Sequence, residues 1–160
     1  MIETAEGDAV VDLYFTLLTR WNDKDAPGMA ALLTDDGQMV GFDGSLMEGP
    51  ADVAAALGAI FSHHATAAYV AKVKRVQMIG PDAGLLRAMV GMVPRGLSDL
   101  SPMVNAVQTL VASRVDGSWR VALLQSTPAA FHGRPQMVDA FSDELREVLR
   151  TRGVPGHPAL

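Results

Sequence analysis

Two turn signals divide the second half of the chain into four long segments of strand character. Gly80-Pro81-Asp82 separates Tyr69–Ile79 from Ala83–Val93, and Asp116-Gly117 separates Val104–Val115 from Ser118–Thr127. A two-residue hairpin turn needs positive φ at its central residues, which Asp-Gly tolerates well. Gly-Pro-Asp reaches the same end differently, with Pro presetting φ and Asp bonding its own backbone. The segments are long for strands, so they predict two wide antiparallel hairpins. Four such strands in succession commit the chain to one antiparallel sheet, and the remaining elements have to cover it.

Those elements are helical. From Gly7 to Trp21, the residues Val10, Tyr14, Leu17 and Trp21 recur at helical spacing, with Asp8 suited to the positive N-terminal end. A short second helix is expected from about Ala26 to Leu33, with Pro27 in its first turn and Asp36-Gly37 ending it. Gln38–Phe42 reads as a short strand, Asp43-Gly44 as a hairpin turn and Ser45–Glu48 as the return strand. Pro50 opens a third helix that runs to about His64, with Val53, Leu57, Ile60 and Phe61 on one side. After the hairpins, Met137–Arg152 is amphipathic, with Phe141, Leu145, Val148 and Leu149 inward, and GVPGHPAL reads as a loose tail. The loop PRGLSDLSPM joins the two hairpins. No repeat or linker interrupts the order. Residues 1–135 form the body of one domain, and 136–160 supply its C-terminal helix and tail.

Helices then strands give an α+β architecture, three helices on one face of the sheet. In Ala83–Val93 and Val104–Val115 both alternating sets are largely apolar, whereas a sheet with one solvated face would alternate. Three helices cover one face only, so the other is expected to meet a second copy in a homodimer. The 49% hydrophobic and 19% charged shares of the 160 residues agree with surface hidden in a pocket or an interface. A net charge of −5 argues against nucleic-acid partners, and the absence of cysteine excludes disulfides and thiolate metal sites. No apolar run approaches a membrane span of ~18 residues, and the acidic N-terminus lacks the positive region of a signal peptide. The expected location is the cytoplasm.

Several segments carry a family resemblance. WNDKDAPGMAALLTDDGQMVGFDG, Trp21 to Gly44, resembles the end of the first helix and the second helix of the nuclear transport factor 2-like superfamily. GSWRVALLQSTPAAFHGRP, Gly117 to Pro135, resembles its terminal strand. Together with GMVP, NAVQTLVASR and AFHGRP, the chain is similar more narrowly to the SgcJ/EcaC family of small actinobacterial proteins, from about Tyr14 to Pro135. The resemblance implies a cystatin-like cone, with three N-terminal helices on a strongly curved, mainly antiparallel sheet rolled around an apolar pocket. The superfamily holds ketosteroid isomerases, SnoaL-like polyketide cyclases, scytalone dehydratase and epoxide hydrolases, beside non-catalytic pocket and adaptor proteins. SgcJ/EcaC-like proteins are associated with natural-product pathways, including those of enediynes. The implied ligand is an apolar polyketide or polyene-like molecule. Its cyclisation, dehydration or isomerisation would be assisted by acid–base chemistry with no cofactor. The alternative is a non-catalytic carrier or adaptor that assists a polyketide synthase.

The isomerases of that superfamily use a carboxylate base on the short strand after the second helix. Gln38–Phe42 contains none; the nearest acid, Asp43, falls in the turn and is either a solvent-facing hairpin residue or the catalytic carboxylate, with Phe42 beside it a candidate for ligand contact. His63 and His64 close the third helix, where the dipole favours histidine; they serve either that end, or the pocket mouth as a general base (His64) or ligand hydrogen-bond partner (His63). A pair without further ligands makes no metal site. His132 follows the last strand, either capping a turn or acting as a base. Counting back from a two-residue turn at Asp116-Gly117 sets Gln108 opposite Gln125 on one apolar face, bonded either to each other or to a ligand. Asn105 points the other way and serves the pocket if that face is the concave one. Arg87 sits alone among apolar neighbours and calls for a partner, either an anionic ligand group or an acid such as Glu48 or Asp43. Tyr14 and Trp21 belong either to the core or to the ligand site.

Overall fold

The computed structural model describes residues 5–157. Helix α1 (Ala5–Asn22) and the short α2 (Ala26–Ala30) precede strands β1 (Leu33–Val40) and β2 (Leu46–Glu48). Helix α3 (Gly49–His63) leads into β3 (Ala68–Met78), β4 (Ala83–Val93), β5 (Ala106–Val115) and β6 (Ser118–Pro128), and α4 (Pro135–Arg152) closes the chain. The six strands form one sheet in the order β2-β1-β6-β5-β4-β3, antiparallel except where β1 runs parallel to β6. Both predicted hairpins are present. Asp116 and Gly117 take φ of 51° and 79°, and Val115 pairs with Ser118 across them.

The second helix is shorter than its sequence suggests. Asp25 caps it by accepting the Gly28 N–H at 2.9 Å, and Pro27 occupies its first turn, but it ends at Ala30. The Val121 N–H donates to the Leu32 carbonyl at 2.8 Å and draws the chain into the sheet beside β6. Strand β1 therefore starts at Leu33 and runs through Asp36-Gly37, the pair expected to end a helix. Its register with β6 breaks between Leu33 and Gln38. A Cβ on Gly37 would lie 2.7 Å from the Val121 carbonyl oxygen, so only glycine allows this approach. Tertiary pairing overrides local propensity here.

One sheet face carries the main core. Val10, Tyr14, Leu17 and Leu18 of α1, Met29 of α2, and Val53 and Leu57 of α3 pack on Leu86, Leu110, Val121 and Leu124. Each fully buried aliphatic side chain contributes about 1.5–3 kcal/mol. The chain itself covers part of the opposite face. Helix α4 lays Phe141 and Leu145 on Val70, Met89, Leu100 and Ala129, forming a second cluster. Lys72 and Lys74 hold it there, each donating to Glu144 Oε1, at 2.9 and 2.7 Å. Beyond α4, Thr109, Val111 and Leu123 stay half-buried and Arg87 and Gln125 exposed.

Candidate functional site

The interior between helices and sheet is filled with side chains. Tyr14, Leu17, Leu18, Met29, Leu57, Leu86, Leu110 and Gln108 are all less than 2% exposed. The polar element among them is a cluster centred on Gln108. Its Oε1 accepts the Tyr14 hydroxyl at 2.7 Å and its Nε2 donates to Ser126 Oγ at 3.2 Å. Burial pushes the Tyr69 phenol up to about 12, with the Gln108 side chain pulling the other way. Tyr14 is raised well above the usual range, first by burial and then by Tyr69. Both phenols are neutral hydrogen-bond donors at physiological pH. The cluster contains neither a carboxylate nor an imidazole, so it has no group able to take a proton from carbon.

The partner of Gln108 differs from the one expected. Val111 pairs with Leu123 but Ala112 pairs with Val121, so β6 carries one extra residue at Ala122. That bulge moves every later partner by one position. Ser126 thus faces Gln108, while Gln125 lies opposite Thr109 and is exposed.

The proposed acids and bases stand outside the interior. Asp43 is exposed in its turn, where the Ser45 N–H donates to Oδ1 at 2.9 Å and holds the carboxyl below the usual range. Phe42 beside it is 41% exposed. Strand β1 does include two acids, Asp35 and Asp36, but both are exposed, and its inward side chains are Leu33 and Met39, the latter opposite Leu124. His63 and His64 are exposed at the end of α3, and His64 donates its backbone N–H to the Ile60 carbonyl. His132 is exposed in a turn whose neighbour Phe131 packs on Phe141. Arg87 is exposed rather than buried, so water serves it and no acid partner is needed. Asn105, 2% exposed, ties β5 to α4 by donating from Nδ2 to Ser142 Oγ at 2.9 Å. Trp21 donates from Nε1 to the Ala67 carbonyl and packs edge-on against Phe61. Among the described residues no group of three or more His, Asp or Glu side chains is placed to hold a metal ion.

An open space lies elsewhere. A groove of about 760 Å³ runs along the free edge of β3, between α1 on one flank and α4 on the other. Val11 and Phe15 of α1, Val73, Val76 and Met78 of β3, and Val148 of α4 make it apolar, and charged side chains rim it. A second hollow of about 370 Å³ shares Phe15, Ala71, Val148 and Arg152 and continues it toward Pro155. Nothing in local sequence pattern marks this groove, because it depends on which strand ends the sheet. The available signal was Val148, an inward residue of α4 one turn beyond the buried Leu145.

No protein-family model matches the sequence, and no curated protein matches it. Solved structures do. A cystatin-like domain of unknown function from Nostoc punctiforme superimposes with a TM-score of 0.74 at 18% identity, covering 91% of this chain and 93% of that one. A ketosteroid isomerase-like protein from Erwinia carotovora atroseptica gives 0.62 at 19% identity, over 79% and 98%. An NTF2-like protein of unknown function from Shewanella oneidensis gives 0.62 at 17% identity, over 75% and 97%. At such identities the likeness speaks to architecture alone. The chain has the cystatin-like, NTF2-like α+β fold: helices on a curved mixed sheet of six strands, completed by a C-terminal helix.

Proposed function

We propose that this protein is a binding module that performs no acid–base chemistry of its own. Its binding site is the groove between α1, β3 and α4. The observation that carries this reading is the contrast between the two spaces. The cone interior is packed, and Asp43, His63, His64 and His132 are all exposed outside it. The groove has an apolar floor, a charged rim and a volume of about 760 Å³, within the roughly 300–1,000 Å³ of ligand clefts. The resemblance to proteins of natural-product pathways supplies the small-molecule ligand, an elongated polyketide or polyene-like chain held for a synthase in the cytoplasm. A homodimer through the part of the second face that α4 leaves open completes the proposal, with Thr109, Val111 and Leu123 at its centre.

Titration with cis-parinaric acid, a fluorescent conjugated polyene, tests the site. Its emission is expected to rise on binding, and its absorption spectrum to stay unchanged over hours. Phe15→Glu puts a charge on the apolar floor and should weaken binding about tenfold or more. Tyr14→Phe, inside the cone, should leave affinity as it was. A spectrum that bleaches with time, or affinity lost through Tyr14 and not Phe15, would return the site to the cone.

A further inference from the structure

The groove offers groups that a polyene leaves unused. Strand β3 ends the sheet, so one of its edges has no neighbouring strand. The carboxamide of Asn22 occupies that edge at Tyr69, accepting the Tyr69 N–H at 2.8 Å and donating to its carbonyl at 3.2 Å. Tyr69 therefore turns both backbone groups away from β4, and alternation gives Ala71 and Val73 the same direction. Among the described residues, no hydrogen bond reaches the backbone of Ala71 or Val73 from outside the sheet. Both residues line the groove. A purely apolar occupant would cover these donors and acceptors without pairing them, at a cost of about 1–3 kcal/mol for each group buried.

Charge divides the two flanks. On the α1 side the groove presents Val11 and Phe15, with the single carboxylate of Asp8 exposed at its rim. On the other side Lys72, Lys74 and Arg75 of β3 and Arg152 of α4 line it. Lys72 and Lys74 share a single carboxylate, Glu144, and the Glu147 carboxylate is engaged by Arg150. No ion pair with the guanidinium of Arg75 or Arg152 occurs among the described residues. A second copy of β3 fits this edge poorly, since antiparallel pairing about Val73 and Lys74 would set cations against cations.

We infer that the groove also takes an extended acidic peptide segment of a partner protein, added as a further strand beside β3 in competition with the polyene. This rests on the reading of the groove as the binding site and names its partner. The main chain of the segment pairs with Ala71 and Val73. Alternate side chains turn to opposite faces. One set, apolar, packs on Val11 and Phe15; the other, carboxylates, faces Arg75 and Arg152. Affinity then comes from backbone pairing and specificity from the alternating pockets.

The test uses a fluorescein-labelled peptide of alternating valine and glutamate, about eight residues long to match the reach of β3. It is titrated against the whole protein by fluorescence polarisation. Two further peptides replace glutamate by lysine, or N-methylate alternate amides. The valine-glutamate peptide should bind and displace parinaric acid, and each altered peptide should bind about tenfold more weakly. The exposed double variant Arg75→Glu/Arg152→Glu should reverse the preference between glutamate and lysine peptides. Equal binding of the N-methylated peptide overturns the inference, because no strand pairing is then involved. So does an unchanged charge preference, or a change of oligomeric mass in the double variant without peptide binding, which points to a second copy. Parinaric acid bound at Phe15 and not displaced sinks the peptide and spares the groove. If neither probe binds, both readings fall.

Discussion

Gln108 sets the character of the cone interior. Its Oε1 and Nε2 are both committed, to Tyr14 and Ser126, and it has no exposed surface. Tyr14→Phe removes the bond to Oε1 and should lower unfolding free energy in urea by about 1–3 kcal/mol. An unchanged midpoint would mean that Tyr69 or water replaces it. Tyr14 and Tyr69 are the two tyrosines of the chain, which makes alkaline titration easy to read. Both phenols have folded values above the ordinary one of about 10, Tyr69 reaching about 12. Raised values mean that the folded state holds its protons more tightly. Their stabilising contribution is therefore complete below about pH 10 and is lost as pH rises toward the folded values. Tyrosinate absorbance should accordingly appear together with unfolding; ionisation well before loss of circular dichroism would contradict the buried cluster. The sequence made Gln108 visible as a polar residue on an apolar strand face. Its partner was hidden, because a one-residue bulge at Ala122 leaves no mark in a count from the turn.

At the scale of elements, what local chemistry dictates was readable. Asp116-Gly117 demanded its turn, Pro50 opened α3, and the apolar stripe of α4 presented Phe141 and Leu145 as expected. The boundary between α2 and β1 was not readable, since Leu33 is taken by pairing with Val121, far along the chain. Nor was the placement of α4, whose Phe141 and Leu145 meet the second sheet face and whose Glu144 meets two lysines from a neighbouring strand. Lys74 and then Lys72 hold the Glu144 carboxyl below the usual range. A depressed value contributes stability that is present above the ordinary pKa and lost as pH falls through the folded one. The amide protection factors of helix α4, taken against the intrinsic exchange rate at each pH, should therefore fall in Glu144→Gln, and fall in acid in the wild type, while those of α1 are unaffected. The pairs are more than a third exposed, so the effect stays at about 0.2–1 kcal/mol. Equal protection of α4 in the variant would mean that Phe141 and Leu145 alone hold it.

For the whole molecule, the arrangement of layers followed from element order, but strand order did not. Which strand lies at the edge decides where the groove is, and only long-range pairing decides that. The candidate acids and bases lie outside the interior for a related reason: turns and helix ends supply polar residues for their own backbone needs, as Asp43 does with Ser45. The second sheet face is shared between α4 and the open patch at Thr109, Val111 and Leu123. Light scattering should give a dimer mass at micromolar concentration, and Val111→Glu should shift it to monomer with the fold retained. A monomeric wild type would leave that patch facing solvent.

The parallel pairing of β1 with β6 also sets a timetable. Gln38 meets Leu123, roughly 85 residues later in the chain. At synthesis rates of about 5–20 residues per second, β1 waits several seconds at the ribosome before its parallel neighbour exists. Only the short β2 hairpin and nearby helices can shelter it meanwhile. The β3–β4 hairpin can form early from local contacts, whereas joining β1 requires closure of a long loop. The sheet is therefore completed late, and a chain stopped at Val115 should remain open and prone to aggregate.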